Sequence, residues 1–110
     1  MNNNHDSLTA DIIHTFDEAS QLLSDSYYAD EESELWFCRW RSREYETGAK
    51  LVESLMHDDA FMSEDARKTV HDSLDWYYAF LEQRGYAFRC MKLDIVIARV
   101  DNAEIVGAAT

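Results

Sequence analysis

Proline is absent from this chain, and glycine occurs only three times in 110 residues. Both residues interrupt regular structure. Proline removes an amide donor and clashes with the preceding turn, whereas glycine leaves the backbone unrestrained. A chain with so few of them is poorly suited to a β-sandwich, which needs a turn roughly every 8–12 residues. It is suited to long helices joined at few corners. The length fits one domain, 1–110, in the range where roughly 60–70% of the extended-chain surface is buried. Three Trp, five Phe and six Tyr supply large apolar groups enough for a core without metal or disulfide staples.

Hydrophobic periodicity places the elements. Residues 1–5 read as a polar, flexible leader. Leu8, Ile12, Phe16, Ala19, Leu23 and Tyr27 then fall on one side of a helix over about 7–28, with Asp6 or Ser7 as its cap. The other side carries Asp11, His14, Asp17, Glu18, Gln21 and Asp25. A second helix is expected over about 31–56, opened by a run of carboxylates that suits the positive end of its dipole. Its apolar band holds Phe37, Trp40, Tyr45, Leu51, Val52 and Leu55. Arg41 and Glu44 project into that band within reach of one another, and Gly48 on the same face predicts a close helix approach.

His57 to Asp59 reads as a linker, and Ser63 before Glu64 and Asp65 as a helix start. The third helix, about 63–84, points Ala66, Val70, Leu74, Tyr77, Phe80 and Leu81 inward, and Arg84-Gly85 stops it. Beyond this stop, β-branched residues and partial alternation favour strands over about 88–100 and 104–108, a C-terminal hairpin. The expected fold is therefore mainly α, a three-helix core with a short hairpin. An all-α four-helix bundle is the alternative.

Charge is distributed unevenly. Asp6, Asp11, Asp17, Glu18, Asp25, Asp30, Glu31, Glu32 and Glu34 stand in the first 38 residues, which contain no Lys or Arg. The remaining 72 residues carry 13 acidic and 10 basic side chains, so nine of the twelve net negative charges belong to the first third. Such a chain repels nucleic acid and phospholipid and attracts basic surfaces. Asp11, Glu18 and Asp25 are seven apart, a carboxylate about every 10.5 Å along a rod of roughly 30 Å. Asp17 and the run Asp30, Glu31, Glu32 and Glu34 thicken that field, and Asp58 and Asp59 could extend it.

Other features point elsewhere or nowhere. Arg39, Arg41 and Arg43 alternate with aromatics, but period two on a helix sends them in different directions and nearby carboxylates offset them, so direct nucleic-acid binding is not expected. Trp36 with Arg39 and Arg43 is a candidate set of interface anchors, or else Trp36 covers the bundle edge. Asp11, His14 and Glu18 have helical spacing for metal ligation but face away from the dry side, and no Glu-x-x-His unit is present. Cys38 and Cys90 are too few for a disulfide framework or zinc ribbon, and no nucleophile, phosphate loop or His-Glu-x-x-His pattern accompanies them. No signal sequence or run of 18 apolar residues occurs, so a cytoplasmic protein without membrane contact is expected.

These features predict a binding protein, with no catalysis, cofactor or metal. Its expected partner is a basic, nucleic-acid-handling protein whose phosphate-binding surface the carboxylates occupy, as an inhibitor and DNA mimic would. A gene carried by a phage or mobile element suits that role. Small acidic inhibitors of restriction or CRISPR complexes are similar in charge and size alone, with no shared residue motif. A homodimeric interaction module and a metal-binding or enzymatic bundle are the alternatives.

Overall fold

The structure is a computed structural model that describes the backbone over 3–57 and 63–103 and the side chains over 8–48 and 63–103. Among these residues the chain forms four helices and no strand: α1 (Asn3–Ser26), α2 (Glu31–His57), α3 (Glu64–Gln83) and α4 (Ala87–Asp101). Each helix packs on the next, and α4 returns to α1. Ser20 meets Trp40 while Tyr27 meets Phe37, and Thr47 meets Ser73 while Trp36 meets Phe80. Successive helices are therefore antiparallel, giving an up-down-up-down ring.

Local signals fix the corners. Asp30 caps α2 by accepting from the Ser33 amide at 2.7 Å, and Glu31, Glu32 and Glu34 occupy the first turn. Ser63 caps α3 by accepting from the Ala66 amide at 3.1 Å. At the far end of α3 the Tyr86 amide bonds the Leu81 carbonyl and the Gly85 amide bonds that of Glu82, a Schellman turn with Gly85 at φ 78°. Helix α1 starts at Asn3, so Asp6 and Ser7 lie inside it rather than capping it.

The core is aromatic at its centre. Trp40 is fully buried, 4.9 Å from Phe16 and 5.6 Å from Tyr77 between ring centroids, and its indole N–H donates to Ser20 Oγ at 2.9 Å. Leu8, Ile12, Phe16, Ala19 and Leu23 of α1 and the six expected residues of α3 are all buried. Two hydroxyls, Thr47 Oγ1 and Ser73 Oγ, sit inside the α2–α3 interface and bond each other at 2.9 Å.

Several expectations are corrected. The segment 88–100 is helical: Leu93 is 3% exposed while Ile95 is 61% exposed, which strand alternation cannot produce. Burial at Cys90, Leu93 and Val100, with Val96 and Ile97 partly buried, follows a helical period. The second expected strand, 104–108, lies outside the described residues, as do Asp58 and Asp59. Among the described side chains of α2 the buried positions are Ser33, Trp40 and Thr47, one every two turns, which turns Tyr45 into solvent, while the expected core residues Leu51, Val52 and Leu55 lie outside the described side chains. Arg41 lies over the Phe37 ring at 5.9 Å on an exposed surface, and no Arg41–Glu44 ion pair forms among the described residues. Gly48 is exposed with nothing among the described residues within 4 Å of where a Cβ would stand, so no described helix approaches it closely.

Candidate functional site

Two regions concentrate chemistry, and the expected acidic face is divided between them. The first is the corner where α1 ends and α2 begins. Asp25, Asp30, Glu31, Glu32 and Glu34 are exposed there, alongside Tyr28, which is 93% exposed, and the half-exposed Leu35. Part of this charge has local work. The Ser33 amide and hydroxyl hold the Asp30 carboxyl below the usual range. Glu34 accepts from the Tyr27 hydroxyl at 3.2 Å and pushes that phenol up, and Asp25 accepts from Gln21 Nε2 at 2.9 Å. Behind the corner, Arg84 Nη2 donates to the buried Ser33 Oγ at 2.7 Å, with its guanidinium 5.1 Å from the Phe80 centroid. Asp17 is also exposed, farther up α1.

The second region is a cleft of about 380 Å³ between α1 and α4. Its depth reaches Tyr77 and Leu81 of α3, with Leu93 and Val96 of α4 completing an apolar floor. Asp11, His14 and Glu18 stand along the α1 rim, and Arg89, Lys92 and Arg99 along the α4 rim. Arg99 Nη1 donates to Asp11 Oδ2 and bridges the walls. Burial pushes the Tyr77 phenol above its ordinary value, Arg89 beside the hydroxyl pulls it back, and Glu18 adds to the rise. The Lys92 ammonium lies 5.8 Å from the Phe88 centroid, and Arg89 lies 5.8 Å from that of Tyr86.

Thus Asp11 and Glu18, expected on an outward stripe with Asp25, turn to α4, where Asp11 pairs with Arg99 and Glu18 lines the cleft with Arg89 and Lys92. Three of the ten basic residues line this one cleft, and sequence reading missed them because a strand at 88–100 scatters positions 89, 92 and 99 over two faces. On a helix they share one side. The aromatic anchors are also placed differently from a free interface. Trp36 is half-buried, its ring 4.4 Å from Trp76, and its indole N–H donates to Glu32 at 3.4 Å. Arg43 lies over Trp76 at 5.4 Å, whereas Arg39 is exposed. Trp36 is therefore cover over the α2–α3 edge.

Cys38 is exposed and Cys90 buried, both as free thiols, and burial pushes the Cys90 thiol up. His71 Nδ1 lies 2.7 Å from Asp101 Oδ1, tying α3 to the end of α4. Among the described residues no group of three or more His, Cys, Asp or Glu is arranged to hold a metal ion, and no helix is long and apolar enough to cross a membrane. No protein-family model matches the chain, and neither does a curated protein or a solved structure.

Proposed function

We propose that this is a non-enzymatic, cytoplasmic binding protein that occupies the basic surface of a partner, its carboxylates standing where the phosphates of a nucleic acid would. Inhibition of a nucleic-acid-handling protein follows directly from such occupancy. The observation that carries the reading is the α1–α2 corner. Exposed carboxylates there are fixed on helix ends rather than on a loose tail, and Tyr28 and Leu35 lie among them as short-range contacts. Screening at physiological salt cuts the field within about 8 Å, so the carboxylates act on a docked surface more than on a distant one.

Affinity capture from the native host cell identifies the partner. The triple variant D17N/D25N/E31Q then tests the face while sparing the Asp30 cap and the Glu34–Tyr27 bond. Binding should weaken at least tenfold at about 50 mM salt and depend less steeply on salt, with Asp30, Glu32 and Glu34 still in place. An unchanged dissociation constant in that variant at low salt sinks the proposal.

A homodimer is the second reading, favoured by Phe88, Met91 and Ile95. These are 67%, 56% and 61% exposed and stand three and four apart along α4, with Phe88 and Ile95 at the mouth of the cleft and Met91 beyond it. Light scattering separates the two readings. A dimer has a mass near twice 12.8 kDa, and a strict monomer across the micromolar range removes it.

A further inference from the structure

We propose that the cleft between α1 and α4 is a binding site for a small apolar anion, a carboxylate or sulfonate carried on an aromatic or branched hydrocarbon body. This site is separate from the acidic corner and does not depend on the function assigned to it.

The cleft volume of about 380 Å³ falls in the range of small-molecule sites, roughly 300–1,000 Å³, and helix bundles commonly place such sites between helices. Its floor opens onto the core at Tyr77 and Leu81, so an apolar body seated there leaves water for a surface lined by Leu93 and Val96. The rim charges decide the head group. Asp11 is already matched by Arg99. That leaves Arg89 and Lys92 across from Glu18 and His14 of the α1 rim, and among the described residues neither Arg89 nor Lys92 enters an ion pair. In a molecule with a net charge of −12, this concave apolar surface keeps an excess of cation after its own pairings are counted. The Tyr77 hydroxyl, beside Arg89, can donate to the same head. Phe88 and Ile95, both exposed at the cleft mouth, can close over the ring of the ligand. Glu18 opposes the anion and sets an upper limit on its affinity.

The probe is 8-anilinonaphthalene-1-sulfonate, with N-phenyl-1-naphthylamine as the same ring system lacking the sulfonate. Titrated into the folded full chain, the sulfonate should bind once per chain and shift amide resonances at 11–18 and 89–99. Lys92→Gln, at an exposed position, should weaken it about tenfold and leave the neutral probe unchanged. Glu18→Gln should tighten the sulfonate about two- to threefold, whereas the same change weakens or leaves unaltered the capture of a basic partner. Three results overturn the proposal: no saturable site, equal affinity for the two probes, or shifts on α4 that leave residues 11–18 unmoved.

Discussion

Arg99 of α4 donates through Nη1 to Oδ2 of Asp11 in α1, joining the last described helix to the first across 88 residues of sequence. The two side chains keep 37% and 47% of their exposure, so solvent screens the pair. Asp11→Asn and Arg99→Gln should each cost less than about 1 kcal/mol, with a coupling of about 0.5 kcal/mol in the double-mutant cycle. Urea denaturation at about 50 mM and 500 mM salt checks this, and the coupling should shrink at the higher salt.

The Thr47–Ser73 bond lies at 1% and 2% exposure, where water cannot replace a lost partner. Thr47→Val should destabilise by about 1–2 kcal/mol, because it strands the Ser73 hydroxyl. Adding Ser73→Ala should then cost much less than it does alone, since the second change removes the group left unsatisfied. Equilibrium unfolding of the two singles and the double gives the answer, and strict additivity counts against it.

The described glycines should respond to alanine with opposite signs. Gly48 sits in α2 with open space around it, so Gly48→Ala should stabilise by about 0.5–1 kcal/mol through helix propensity. Gly85 holds φ 78° in the turn after α3, and Gly85→Ala should destabilise by about 1 kcal/mol or more despite equal room for the methyl group. Thermal unfolding midpoints of the two variants should move in opposite directions.

Asp30 contributes a pH dependence of known sign. Its folded carboxyl is held below the unfolded value by the Ser33 amide, so the cap stabilises above the unfolded pKa near 3.8. That contribution is lost as pH falls through the lower folded value. Asp30→Asn keeps a capping oxygen without titrating. Between pH 5 and pH 2 the variant should therefore lose stability less steeply than the parent, by urea midpoints at several pH values.

Much of the fold was legible because its signals are local. Ser63, Arg84-Gly85 and the six inward residues of α3 are set by capping chemistry and a helical period that neighbours need not arbitrate. α4 was not legible in this way. Ile95, Val96 and Ile97 favour a strand by propensity, and only the burial of Leu93 and Val100 in the common core decides for a helix. The same misreading hid the cleft. Arg89 and Lys92 gain meaning only once α4 lies beside Glu18, a tertiary fact absent from local pattern. Tyr45 and Gly48 were misplaced for a related reason: a wide band of large residues on α2 does not tell which third of it is covered.

An even number of antiparallel helices brings the beginning of α1 and the end of α4 to one end of the molecule, where Asp11 meets Arg99. Tension applied between the start of α1 and the end of α4 therefore does not shear the helices past one another. It peels α1 from α4 one contact at a time, the geometry in which a folded protein yields at low force. The seam that holds the cleft is thus the mechanical weak line of the bundle, and traction between the start of α1 and the end of α4 would open it before disturbing the aromatic centre around Trp40.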